Sequence, residues 1–283
     1  MIEILTVLAF IWLIFAIVQD FKYREIANWL NFSLAIFAMA ARLFYSIFLN
    51  NYDYFFFGIF GLAVFFIVGH LFYYVRIFAG GDAKLLIAFG AVVPFANTFY
   101  ENSLIMMLFI FALLFLGAFY SLIYSLILSY LNYKKFTKEF ARQVRINEKY
   151  FYLAVFFGVV LSVIVLFSGE TAFFAFPLLI LLFPLLLVYA KAVETSCMIK
   201  YVDAKSLTIG DWLVDPLKIK NKVIKPNWEG IDEKQVKFIK KYYKKKVLVK
   251  YGVPFSPSFI LAFIFLLIIK YYMNSNWGFL GLW

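Results

Sequence analysis

The chain has 283 residues, 65% of them hydrophobic and 15% charged, with a mean hydropathy of +0.88 and a formal net charge of +11. A water-soluble protein of this length does not carry so much apolar sequence, and uncharged runs recur near the ~20 residues needed to cross a ~30 Å hydrocarbon core. The fold class is therefore all-α, a polytopic transmembrane helical bundle. A single cysteine, Cys197, excludes an intrachain disulfide and a multi-cysteine metal site, and a single histidine, His70, excludes a His-rich one.

Eight spans are predicted, over about 4–19, 29–49, 54–75, 84–99, 103–131, 150–168, 171–190 and 257–273. The first apolar run starts at Ile2 without a basic leading region or small-residue cleavage site, so it reads as a span, not a cleavable signal. The span starting near 84 is short, and that over 103–131 is long enough to tilt or project beyond the bilayer. Alternate loops hold nearly all the basic residues: Lys22 and Arg24, then Arg76 and Lys84, six between Lys134 and Lys149, and fifteen between Lys191 and Lys250, which makes 25 of 27. The opposite loops hold Asp53, Glu101 and Glu170 and no base. Basic loops stay cytosolic, so both termini are expected outside. This asymmetry accounts for the net charge and leaves no reason to invoke nucleic acid. The expected division is a membrane core at 1–131, a basic cytosolic loop at 132–149, further spans at 150–190, a cytosolic subdomain at 191–256, and a last span with an outer tail at 257–283. Within the subdomain Asp232 is placed to cap a lysine-covered helix, and the run Lys244–Lys250 is compatible with a strand. The lysines are read first as a solvated face and second as a surface attracted to anionic lipid.

Two carboxylates stand out. Asp20 ends the first span, and Asp82 opens the fourth, in Ala79-Gly80-Gly81-Asp82-Ala83-Lys84. A charge at the edge of a bilayer is costly and needs an explanation. Alone, Asp20 reads as a polar helix end and Asp82 as an N-cap. Together they return to one membrane face, and Gly80 and Gly81 would let another backbone come near Asp82. Paired carboxyls that share a proton can activate water and polarise a peptide carbonyl, the chemistry of an aspartic endopeptidase. Lys84 is open to two readings, a snorkelling interfacial base or a charge that biases the pair toward ionisation. Asn28 and Asn31 are candidates to cap or orient the loop after Asp20. His70 is expected to be a buried, hydrogen-bonded core residue, and Cys197 to be without chemistry. No phosphate loop, Ser/His pair or HExxH motif occurs.

At these residues the chain resembles the archaeal branch of the type IV prepilin peptidase family, which includes the preflagellin (archaellin) peptidases. Asp20-Phe21-Lys22-Tyr23-Arg24-Glu25-Ile26-Ala27-Asn28 resembles that family's Asp, basic residue, Ile-Pro-Asn pattern, with Ala27 where proline is usual. Ala79-Gly80-Gly81-Asp82-Ala83-Lys84 resembles its Gly-x-Gly-Asp-x-Lys motif, with Ala79 in place of the first glycine. Gly252-Val253-Pro254-Phe255-Ser256-Pro257-Ser258-Phe259 resembles the approach to the last helix in the archaeal members, and Gly210-Asp211-Trp212-Leu213 their cytosolic segment. The resemblance implies a membrane aspartyl endopeptidase with Asp20 and Asp82 as its catalytic pair and Gly80, Gly81, Lys84 and Asn28 in support. Its substrates would be pilin-like or archaellin precursors, cut at a short basic leader on the cytoplasmic side, with membrane lipid around it. The cysteines of a bacterial zinc loop and a methyltransferase segment are absent, so no cofactor and no metal are expected. Asp203, Asp211, Asp215, Glu229, Asp232 and Glu233 are either a site for the basic leader or only a balance to nearby lysines.

A reading from another class is a transporter or channel whose aspartates relay protons or bind cations. That would call for carboxylates near the midplane and an internal repeat, and neither is visible.

Overall fold

A computed structural model describes residues 2–169, 173, 175–220 and 222–276. Glu170, the start of the seventh predicted span and the tail at 277–283 lie outside the described residues. The protein is a polytopic helical membrane protein. Among the described residues six helices are long and apolar enough to cross a bilayer. They are α1 (Ile2–Tyr23), α2 (Asn28–Leu49), α3 (Asp53–Tyr74), α5 (Phe99–Leu131), α7 (Glu148–Ser168) and α8 (Ala175–Cys197). The last helix, α10, covers Ser256–Asn276. The chain divides into two units, Met1–Ile123 with Val253–Trp283, and Tyr124–Gly252.

In the first unit the predicted span over 84–99 is not one helix. α4 (Gly80–Phe89) has 10 residues, which is about 15 Å at 1.5 Å per residue and half of a hydrocarbon core. Residues 90–98 continue in turns and bends. Gly90 and Pro94 supply the local reason, since glycine disfavours a continuing helix and proline has no N–H to give one. The two parts together still run the length of α3. Gly80 lies near Tyr73 at the end of α3, and Phe99 meets Phe57 and Phe60 in its first turns, with ring centroids 4.8 and 5.3 Å apart.

Non-helical backbone at membrane depth survives only when protein satisfies its polar groups. Here Arg42 of α2 does so. Its Nε donates to the Ala91 carbonyl (2.6 Å), Nη2 to those of Val92 (3.2 Å) and Pro94, and Nη1 to that of Tyr54 (3.0 Å). Arg42 is fully buried. No ion pair to it occurs among the described residues. Asn102 holds the other end of the break, accepting from the Ala96 amide (2.9 Å) and donating to the Ala96 and Thr98 carbonyls (3.1 and 2.9 Å). Lys270 of α10 places its ammonium 5.1 Å from the Phe95 ring centroid. Arg42 and Lys270 are the two bases that the cytosolic loops leave over, and both reach this one segment.

Close packing then fixes α4 from the sides. A Cβ on Gly61 would run into the Gly90 carbonyl, and a Cβ on Gly90 into that of Gly61, so α3 and the end of α4 meet backbone to backbone. Phe89 stacks on Phe109 (5.6 Å, 6°), Phe109 on Phe65 (5.9 Å), and Phe263 of α10 meets Phe89 edge-on (5.6 Å). Such pairs add about 0.5–1.5 kcal/mol each beyond the area they bury.

The second unit contains α6 (Tyr133–Ile146), α7, α8 and a small folded segment. α6 docks on α8 through Phe136 against Tyr189 (5.6 Å) and through Glu139, which accepts from Arg142, Gln143 and Thr195 of α8. After α8 come strands β1 (Ile199–Asp203), β2 (Trp212–Leu213), β3 (Leu217–Ile219), β4 (Lys222–Ile224) and β5 (Lys246–Lys250). β5 is central in the antiparallel order β1-β5-β2, with Ile199 opposite Lys250 and Leu213 opposite Val249, while β3 and β4 form a separate hairpin. The strand expected in the lysine run is thus present, with Val247 and Val249 turned inward. The segment adds a sheet to an otherwise helical protein. Helix α9 (Glu233–Tyr242) starts at the expected cap. Asp232 accepts from the Gln235 amide (2.7 Å), and Gln235 accepts from the Asp232 amide (3.1 Å), a reciprocal capping box.

Asp211 is a structural staple here, not an available acid. It is buried, its Oδ2 accepts from the Thr208 amide (2.7 Å), and its carbonyl accepts from Ile231 (3.0 Å). Glu233 pairs with Lys237 at 2.5 Å. Together with the capping Asp232, three of the six acids considered for leader binding already serve the fold.

Two expectations follow. Arg42→Leu strips four carbonyls of a charged donor, and bonds to charged groups contribute about 1.5–3 kcal/mol each. Thermal unfolding in detergent should show a loss of at least one such bond, with Arg42→Lys intermediate. In the second unit, burial pushes the Asp211 carboxyl above the ordinary carboxylate range, with the Thr208 amide acting in the opposite sense. The folded state therefore holds this proton more tightly than the unfolded state, and stability falls as pH rises from the ordinary aspartate value through the raised one. Asp211→Asn, which keeps an acceptor for Thr208, should flatten this slope, while Asp211→Ala should lose about 1–3 kcal/mol at every pH. Unfolding midpoints between about pH 4 and pH 7 measure both.

Candidate active site

α1 is apolar all round, yet it buries one stripe: Leu5, Ala9, Leu13, Ala16 and Asp20. The spacing of three and four places Asp20 on the inward face as that stripe's last member. α1 ends three residues later at Tyr23, and the next residue, Arg24, donates its amide to the Asp20 carbonyl (2.9 Å) with φ at 58°. The chain then turns into α2 within a few residues. Gln19 closes that turn, its Oε1 accepting from the Ala27 amide (2.9 Å).

Ala27 itself has φ −63° and ψ 139°. That is the φ a proline ring would impose, so alanine adopts proline-like geometry and its extra N–H is satisfied by Gln19. Ala79 has φ −70° and ψ 161°, an ordinary extended conformation that needs no glycine. Both departures from the family pattern are therefore accommodated without strain in the backbone.

Asp82 is the third residue of α4, not its N-cap, a position that falls to Ala79. Nor does Asn28 cap α2, since Ala27 holds that position and Asn28 is the first helical residue. Asn28 instead accepts from the Lys84 ammonium (2.7 Å), which ties the start of α2 to the first turn of α4. Neither sequence reading of Lys84 anticipated this partner. At Gly81 an added Cβ would stand 3.4 Å from the Ile26 backbone nitrogen and Cβ, so the loop after α1 rests against this glycine. Gly80 is less confined, with only the Tyr73 ring at 3.7 Å.

Asp20 and Asp82 are both buried, at 8% and 9% exposure, and lie within electrostatic reach of one another. A third element joins them. The backbone amide of Ser256, first residue of α10, donates to Asp20 Oδ2 (3.1 Å). The carboxylate of α1 therefore satisfies an orphan amide at the start of α10, where the helix dipole favours negative charge. In the sequence the signal for Ser256 is the Pro254-Phe255-Ser256-Pro257 run, which marks a helix start. Two buried carboxyls with this mutual access can share a proton, one accepting it from water and the other donating a hydrogen bond to a carbonyl.

Other candidates lie apart from this cluster. His70 is half-buried, not enclosed in the core as expected. Its Nδ1 donates to the Phe66 carbonyl (2.8 Å) and its ring rests on Phe66 (4.2 Å). A histidine on an apolar helix can be satisfied by its own preceding turn, so burial is not required. Cys197 is buried at the end of α8 beside Ser196 Oγ (3.3 Å).

The first unit is thus a multi-pass helical membrane domain with a buried pair of carboxyls at one end. Its residues 7–122, a stretch that contains Asp20 and Asp82, match the model of the type IV leader peptidase family. A preflagellin peptidase from Methanococcus maripaludis (strain C6 / ATCC BAA-1332) is 40% identical over 82 residues, which is 29% of this chain. The similarity spans about a third of that relative's length, 35%. No solved structure matches the chain.

Proposed function

We propose that the protein is a membrane aspartyl endopeptidase that removes the short basic leader of pilin-like or archaellin precursors at the cytoplasmic face. The observation that carries this reading is that Asp20 and Asp82, at the end of α1 and the start of α4, are both buried and within electrostatic reach of one another. The match of residues 7–122 to the type IV leader peptidase family and the similarity to a preflagellin peptidase support this substrate class.

In the proposed reaction one carboxyl is ionised and the other neutral. The ionised one takes a proton from a water molecule as its oxygen bonds to the scissile carbonyl carbon. The neutral one hydrogen-bonds the carbonyl oxygen and gives it a proton, leaving a tetrahedral gem-diol. A proton then passes to the amide nitrogen, the C–N bond breaks, and a carboxylic acid and an amine leave. Lys84, Asn28, Gly81 and Gln19 position the two helix ends but touch no reacting atom.

Asp20→Asn and Asp82→Asn should each lower cleavage of a precursor peptide by at least the ~10²–10⁴-fold typical of general acid–base groups, and the double variant should be little worse than either. Substantial activity in one well-folded single variant contradicts the assignment.

The orientation is also proposed from charge. With α4 and residues 90–98 counted as one crossing, the loops carrying 25 of 27 bases share the face of Asp20 and Asp82. A cysteine introduced at Asn147 should resist an impermeant maleimide added to intact cells and react after lysis. Labelling in intact cells would reverse the proposed topology.

A further inference from the structure

Four polar side chains that no described residue partners are buried in the first unit: Asn31, Ser46, Ser256 and Ser258. Ser46 sits near the far end of α2, and Ser258 packs against Gly117. Of the other two, Ser256 touches the carboxyl pair through its amide bond to Asp20, and Asn31 lies one turn into α2 from Asn28.

Asn31 is 3% exposed, and both its Oδ1 and Nδ2 are buried without a partner. Its direction follows from helix geometry. At 100° per residue, Asn31, Ala38 and Arg42 fall within roughly 40° of one another on α2. Arg42 reaches the carbonyls that follow α4, and Asn28, one turn before Asn31, meets Lys84 of α4. Ser33, on the other side of α2, receives the Trp12 indole of α1 (2.9 Å). Asn31 therefore faces α4, about 4.5 Å deeper than Asn28 along α2 and close to the turn that carries Asp82. Ser256 stands on the opposite flank. Its amide is bonded to Asp20, while its hydroxyl is fully buried and unpartnered.

Leaving such groups unpaired is destabilising by about 1–3 kcal/mol each. A leucine at position 31 would make a more stable fold. Sites that retain a destabilising residue are those where function uses it. A carboxamide is chemically a peptide group, with an acceptor and two donors, so it can bond the N–H and C=O of another main chain at once. A hydroxyl can do either.

We infer that Asn31 and Ser256 are substrate-binding residues that hold the main chain of an extended peptide across Asp20 and Asp82, independently of its side chains. The inference rests on the peptidase reading and specifies how that site grips its substrate.

The test uses the full-length protein in detergent and a fluorogenic peptide with a basic leader followed by an apolar segment. Asn31→Leu should keep or raise the unfolding midpoint while raising KM about tenfold, the weight of one hydrogen bond. Ser256→Ala, which keeps the amide bond to Asp20, should also raise KM with the midpoint maintained. The same weakening should appear as a lower affinity of the uncleaved peptide in the Asp82→Asn background. A purely structural role predicts the reverse, a lower midpoint with unchanged KM, and that result overturns the inference, as does an Asn31→Leu protein that fails to fold. If Asp20→Asn and Asp82→Asn are inactive while both new variants bind peptide normally, only this inference falls. If the Asp variants stay active, the peptidase reading falls and takes this inference with it.

Discussion

A guanidinium placed where a helix stops makes this architecture possible. α4 carries Asp82 in its first turn and ends after 10 residues, inside the thickness of a bilayer. The carbonyls that follow have no helix to bond to and no water to replace it. Arg42 supplies the donors from a neighbouring helix, and its own charge is solvated by those same carbonyl dipoles instead of a carboxylate. Each side resolves a burial problem for the other. Without that exchange the segment 90–98 would have to be a regular span, and α4 would be a longer helix constrained by lipid at both ends.

The short helix has consequences at its other end. α4 is buried on most sides, with Asp82, Ala83, Leu85, Leu86, Ala88 and Phe89 all inside. Its start can therefore be fixed by several neighbours: Lys84 to Asn28, Gly81 against Ile26, and Asp20 from α1. Asp20 in turn receives the Ser256 amide, so three helix ends converge on two carboxyls. The ends are not equivalent. Asp20 answers the amide of a foreign helix, while Asp82 sits in the first turn of its own. In the proposed reaction this difference gives the two carboxyls a physical basis for unequal roles.

What the sequence discloses depends on whether a signal is local. The spans are legible because about twenty apolar residues in a row leave few alternatives, and the α9 cap is legible because Asp232 and Gln235 stand three apart before an amphipathic run. That Asp20 and Asp82 return to one face is legible from the basic loops beside them, whereas their proximity depends on which helices pack together, and no local signal carries that. The break after Phe89 was not. Gly90 and Pro94 mark a weakness, but whether a helix ends there depends on a donor 49 residues away. Arg42 itself could have been noticed as an arginine inside an apolar run, which by default signals a buried partner or a functional site. The acids near 211–233 show the opposite limit. Their charge is visible in the sequence, yet Asp211 is enclosed by Thr208 and Ile231 through bonds that composition cannot reveal.

The position of the interruption also separates the two classes of function considered for a membrane protein with buried acids. In transporters, broken helices open on the ligand, and the freed backbone groups coordinate it near the midplane. Here the freed carbonyls are already bonded to Arg42, and Lys270 stands over Phe95 in the same segment, so the break carries positive charge and is closed. Two of the unpartnered groups, Asn31 and Ser256, belong instead to the first turns of α2 and α10, at the end where Asp20 and Asp82 lie. Backbone carbonyls bonded to Arg42 at the break, with polar capacity left over near the two carboxyls, suit the proposed site, which receives a main chain from the membrane surface. A site that passes an ion through the bundle would need it the other way round.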